Sequence, residues 1–155
     1  FECYSHTGSW VNLAPGILDR TVDNPSTVGN TSDVVAMHTR DGENDYSFVS
    51  FTTDGFDDVT EYEEGTKIFT MDVYSAFPGS KVTITMQNEA LAAGEYPAGR
   101  YATFSATTTA SNEWETLEFT FDFYADEVGF GGVTATTVDQ LQINFLLNAE
   151  YKFNI

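Results

Sequence analysis

The chain has 155 residues, of which 24 are acidic and only 6 are Lys or Arg, so its formal net charge is -18. This charge argues against nucleic acids and anionic membranes as partners, because both require a positive protein surface. Hydrophobic residues make up 41% of the chain, which excludes disorder, and the length predicts one domain over residues 1–155. No apolar run approaches the roughly 20 residues that a membrane span needs.

Two further features of the composition bear on the cellular context. Cys3 is the only cysteine, so no intrachain disulfide can form and the redox compartment stays open. The chain begins at Phe1 without an initiator Met or a basic and apolar leader. We interpret it as a processed chain or as a domain excised from a larger protein.

Taken in chain order, the hydrophobic pattern alternates with a period of two and predicts about ten short strands. The predicted strands cover residues 1–4, 9–13 with a continuation over 17–22, 33–40, 46–53, 66–75, 82–88, 100–107, 113–122, 138–147 and 151–155. Residues 57–65 form the only stretch that could hold a turn or two of helix. This arrangement is typical of an all-β, antiparallel sandwich or barrel.

The stretch from Thr66 to Asn88 is predicted to be a central hairpin. Pro78 and Gly79 suit a tight loop between its two strands. In its second strand, three apolar residues alternate with three polar ones, so one set should face a core and the other an open face. The apolar set is Val82, Ile84 and Met86, and the polar set is Thr83, Thr85 and Gln87.

Several segments that occur in a fixed order carry a resemblance to a known family. They are Phe1-Glu2, NPSTVGNTSDVVAMHTR (24–40), TKIFTMDVYS (66–75), VTITMQN (82–88), NEWETLEFTFDF (112–123) and a final YKFNI after LQINF. Together they resemble the galactose-binding-like β-sandwich domains, and they are similar to family 4 and related carbohydrate-binding modules of polysaccharide-degrading enzymes and glycan-binding surface proteins of Bacteroidetes and other bacteria. The resemblance implies a jelly roll that binds a glycan without cleaving it, as part of a larger extracellular or cell-surface protein.

The resemblance also implies a structural calcium ion near the chain ends. Glu2 matches the acid that follows the first Phe in the family, and Asn154 stands where the family has an Asp in the last strand. The loop that begins at Asn24 would supply further oxygens. Because Asn offers a neutral carbonyl oxygen instead of a carboxylate, the change at position 154 should weaken such a site.

A site for a neutral polysaccharide needs exposed aromatic rings together with amide, Arg or His side chains for the sugar hydroxyls. We predict that the rings of Trp10 and Tyr46 stack on sugars. The residues predicted to bind hydroxyls are His38, Gln87, Arg100 and Asn144, on an open sheet face rich in Thr, Gln and Asn. Phe69, Phe119, Phe121 and Phe145 are assigned to the core, and Trp114 to a structural role. The predicted ligand class is a β-glucan, ahead of mannan, xylan or a galactan.

Two alternatives stay open. The domain could be a structural or adhesive sandwich whose groove is filled by its own loops. It could also be a small glycoside hydrolase or lyase, in which Glu115 and Glu118 would supply the carboxylate pair. These two residues have opposite parity on a strand, however, and only a bulge would bring them together. The sequence contains two His residues and no HExxH or nucleophile-elbow motif, so it is predicted not to be an enzyme.

Overall fold

The structure is a computed structural model that describes residues 10–13, 16–40, 43–45, 47–53, 56–93, 98–125 and 132–146. This part of the chain forms nine strands and two one-turn helices, which confirms the all-β sandwich class. The elements are β1 (Trp10–Leu13), β2 (Ile17–Asp23), β3 (Val34–Thr39), β4 (Phe48–Thr52), α1 (Thr60–Glu63), β5 (Phe69–Ser75), β6 (Lys81–Gln87), α2 (Glu89–Ala92), β7 (Arg100–Thr107), β8 (Glu113–Tyr124) and β9 (Gln140–Phe145). The strands predicted over 1–4 and 151–155 lie outside the described residues.

The pairing of the strands differs from the predicted central hairpin. The larger sheet has the order β1-β4-β9-β6-β7-β8-β5, and all its pairs are antiparallel. β5 pairs with β8, whereas β6 lies between β7 and β9, so the predicted hairpin is wrong. Strands β5 to β8 form a Greek key instead. The loop after β5 is held against the β7–β8 turn by Thr108, whose carbonyl accepts from Gly79 N at 2.7 Å.

Strand β8 is long enough to belong to two layers. Its first part, from Glu113 to Phe119, pairs with β5, and its last part, from Thr120 to Tyr124, pairs with β7. The sheet therefore curls at β8 and brings β5 over the inner face of β6 and β7. Phe104, Phe119 and Met86 are fully buried in the resulting core.

Strands β2 and β3 form a separate two-stranded sheet, which we call the ribbon. One end of the ribbon contacts β9, where the His38 ring stacks on Phe145 with ring centroids 4.4 Å apart. The other end continues into the loop that begins at Asn24, and this loop contacts β8 through Trp114. The ribbon is thus attached to the larger sheet at both ends, and the predicted structural role of Trp114 agrees with its contacts.

The short helix α2 falls in the connection where no helix was predicted. The Asn88 side chain caps it by accepting a hydrogen bond from Leu91 N at 3.2 Å. The predicted turn of helix between residues 57 and 65 is present as α1. Because each helix has only four residues, neither produces the longer period that would reveal it in the sequence.

Candidate functional site

The candidate site is the face of the larger sheet opposite the hydrophobic core, where polar side chains of β4, β9, β6 and β7 meet. Directly opposed residues of antiparallel strands project to the same side of a sheet. The register therefore sets Asn144 beside Thr83, Gln142 beside Thr85, and Gln140 beside Gln87. The polar face, as we call it, contains the polar residues Ser50, Thr52, Thr83, Thr85, Gln87, Thr103, Ser105, Gln140, Gln142 and Asn144, and the register also sets Phe48 on it, opposite Asn144.

The centre of the polar face is buried, which differs from the open face that the alternation predicted. Gln87 is 2% exposed and Gln142 is 7% exposed. The side chains bond to one another across the strands. Thr85 Oγ1 lies 3.1 Å from Thr103 Oγ1, and Asn144 Nδ2 donates to Thr83 Oγ1 at 3.2 Å. Such cross-strand pairs stabilise the sheet.

Two buried oxygens of the polar face lack a hydrogen-bond partner within the described residues. They are Ser50 Oγ and Gln87 Oε1. The amide nitrogen of Gln87 donates to Gln140, which leaves the oxygen of the same amide as a free acceptor. A buried polar atom without a partner costs roughly 1–3 kcal/mol. Both atoms therefore favour a hydroxyl group or a water molecule that would complete their bonding.

An exposed aromatic ring, Phe123, lies at one end of the polar face. A register shift in the β7–β8 pair sets Phe123 opposite Thr103 and Phe121 opposite Phe104. Phe123 therefore borders the polar face, whereas Phe121 packs edge-on against the core ring of Phe104. Phe121 is still 40% exposed, so its predicted core position is only partly correct, and Phe123 is 41% exposed. Sequence reasoning missed Phe123, because alternation alone gives both rings the same face.

The predicted hydroxyl-binding residues do not all meet on this face. Gln87 and Asn144 lie on it. His38 contacts Phe145, the residue after Asn144, and successive residues of a strand point to opposite faces. His38 therefore lies across the sheet from Asn144. Its Nε2 is 3.1 Å from Ser47 Oγ, and burial together with the nearby Arg40 lowers its pKa.

Arg100 lies opposite Gln87 in the β6–β7 register, at the edge of the polar face. Its guanidinium group donates to Ala92 O at 3.0 Å and to Ala98 O at 2.6 Å, and so joins the end of α2 to the start of β7. These hydrogen bonds to main-chain carbonyls account for the position of the Arg100 side chain. Trp10 lies on β1 opposite Phe51, while Tyr46 lies outside the described residues.

Of the predicted calcium ligands, Glu2 and Asn154 lie outside the described residues, and Asn24 has other partners. Its Oδ1 accepts from Ser26 N at 2.9 Å and from Trp114 Nε1 at 3.0 Å. Its Nδ2 donates to Asn30 O at 2.9 Å and to Ser32 O at 2.7 Å. Both lone pairs of Oδ1 are thus in use, so Asn24 does not fit a calcium ion in this arrangement. Across the described chain, no group of three or more His, Cys, Asp or Glu residues could hold a metal ion.

The two carboxylates of the hydrolase alternative border one trough between β7 and β8. Burial of Glu115 opposes its ionisation, but hydrogen bonds from Thr109 and Ala110 outweigh it and lower the pKa of the carboxyl group. A glycosidase acid needs a raised pKa so that it is protonated when the substrate binds. Glu115 therefore does not suit the role of a general acid.

Comparisons with known proteins give no relative from which a site could be transferred. Neither a protein-family model, nor a curated protein, nor a solved structure matches the chain. The resemblance to carbohydrate-binding modules consequently stays a prediction. In the described part of the chain, no helix is long and apolar enough to cross a membrane.

Proposed function

We propose that this domain is a non-catalytic carbohydrate-binding module that recognises a neutral polysaccharide, with a β-glucan as the first class to test. In this proposal it acts outside the cell or at the cell surface, as part of a larger protein. Binding would raise the local concentration of the polysaccharide for a linked enzyme or transporter.

The observation that supports the proposal is the polar face with Phe123 at its end. Amide and hydroxyl side chains can both donate and accept hydrogen bonds, which matches the hydroxyl groups of a sugar. An aromatic ring beside them offers a surface for the apolar C–H face of a pyranose. The high acidic charge disfavours sulfated or carboxylated glycans.

A second candidate function is a structural or adhesive role, and the burial of the polar face favours it. Side chains such as Thr85 and Thr103 are buried and bonded to each other, so they can serve the sheet without any ligand. In that case the domain would connect or display its neighbours, and no glycan would bind to this face.

Calorimetry with a panel of neutral polysaccharides separates the two functions. We expect millimolar or tighter binding of at least one glycan, and a roughly tenfold to hundredfold weaker affinity for Phe123→Ala, because a stacked ring contributes about 1.5–3 kcal/mol when it is buried. Phe121→Ala is the matched control, since its ring is equally exposed but lies opposite a core residue. Absence of binding throughout the panel would favour the structural role.

A further inference from the structure

The trough between β7 and β8 arises where the two strands separate. They pair with each other from Ser105 and Thr120 onwards to Ala102 and Tyr124. Before that point β8 pairs with β5, while β7 continues alongside β6. The space between the diverging strands is an open trough with a volume of about 450 Å³.

The trough is lined almost entirely by polar groups. Hydroxyl side chains come from both strands, and Glu115 and Glu118 add carboxylates. Residues 106–107 of β7 and 116–118 of β8 form no ladder pair across the trough. Because successive residues of an antiparallel strand direct their N–H and C=O groups alternately to the two sides, main-chain donors and acceptors also border this space.

The side chains of the trough differ in how far they are already bonded. Glu115 is held by Thr109 and Ala110, and the Thr116 hydroxyl donates to Asp72 at 2.6 Å. These groups form a fixed wall. Glu118 and Thr107 have exposed side chains and no hydrogen-bond partner among the described residues, so they are available to a ligand.

From these groups we propose that the trough is a subsite for a unit of the neutral glycan, whose hydroxyls bind Glu118, Thr107 and the main-chain groups that border the trough. This inference rests on the proposed function. The two carboxylates would repel an anionic sugar. A divalent cation would find only one available carboxylate, that of Glu118, because Glu115 already accepts from Thr109 and Ala110, and cation affinity depends on the number of charged ligands. A neutral polyol can instead donate to Glu118 and both donate to and accept from the remaining groups.

Calorimetric titration with β-1,3- and β-1,4-linked glucan tetrasaccharides tests the subsite. We expect Glu118→Gln and Thr107→Val each to weaken binding of the tetrasaccharide roughly fivefold to tenfold, because the first substitution replaces a charged hydrogen-bond acceptor with a neutral amide and the second removes a hydroxyl. Glu113→Gln is the matched control, since Glu113 is exposed on the same strand but does not line the trough. A tetragalacturonate should not bind.

The outcomes separate the subsite from the proposed function. If a glucan tetrasaccharide binds the native protein and is weakened by Phe123→Ala but not by Glu118→Gln or Thr107→Val, the subsite is wrong and the function stands. If neither tetrasaccharide nor any polysaccharide of the panel binds the native protein, both are wrong. If CaCl2 alone raises the melting temperature and Glu118→Gln abolishes that rise, the trough is a cation site and the sugar subsite is refuted.

Discussion

At the scale of single residues, Asn24 carries the largest number of separate contacts in the loop between β2 and β3. Its amide bonds to two main-chain carbonyls of that loop, to the Ser26 N–H group and to the indole of Trp114 on β8. The NH2 group thus binds carbonyl oxygens in the way that a cation would. The predicted role of Asn24 as a calcium ligand was based on its oxygen, whereas the structure uses both ends of the side chain to hold the loop.

We therefore predict that Asn24→Ala lowers the free energy of unfolding by roughly 1–3 kcal/mol, because several partly buried hydrogen bonds lose their partner. Urea denaturation followed by tryptophan fluorescence measures this change. Thr27→Ala, in the exposed part of the same loop, is the control and should be nearly neutral. The difference should be the same in calcium and in a chelator; a loss confined to the calcium-containing sample would show that Asn24 is a metal ligand after all.

At the scale of elements, one of the two attachments of the ribbon to the larger sheet is a small contact between its end and β9. The His38 ring stacks on Phe145, and its Nε2 lies against Ser47. Arg40 donates to the carbonyl oxygen of Phe145 from the same end of β3. Gly16 completes the contact, since a Cβ atom there would lie 2.6 Å from Ser47 Oγ. A positive charge on His38 would be partly buried beside Arg40.

This contact predicts a dependence of stability on pH. Burial and Arg40 lower the pKa of His38 in the folded protein, whereas an unfolded His titrates near about 6.5. The unfolded chain therefore takes up the proton first, and stability should fall as the pH decreases from about 6.5 through the lower folded pKa. His38→Gln should remove this component from a plot of unfolding free energy against pH. A native profile that His38→Gln leaves unchanged between pH 7 and 5 would contradict it.

At the scale of the whole molecule, the sequence predicted the strands well and their partners poorly. A period of two appears in each strand separately, so nearly all described strands were found within two or three residues. Pairing depends on contacts between distant segments, and the loop at Pro78 looks like a hairpin turn although it spans the β7–β8 pair. The sandwich class follows from the number of strands, but the Greek key does not.

The candidate site shows the same limit. The sequence identified Gln87 and Asn144 as members of polar strand faces, and the register then placed them on the same face of adjacent strands, four residues apart along the strand direction. The alternating pattern does not predict that this face is largely buried. It separates the polar side of a strand from the apolar side, but it contains no information about which segments cover either side. The position of Phe123 beside the polar face depends on a register shift between β7 and β8, which the sequence pattern does not predict. His38 was grouped with the same site, but the chain places it on the far side of the sheet.

The proposed function requires that the polar face contacts a sugar. An NMR titration of the isotopically labelled protein with a glucan oligosaccharide measures this contact most directly. We expect amide shift changes to concentrate on β6, β7 and the last part of β8, including Thr85, Thr103 and Phe123, and to saturate with ligand concentration. Shift changes confined to the β2–β3 ribbon, or a spectrum that no neutral oligosaccharide alters, would contradict the account.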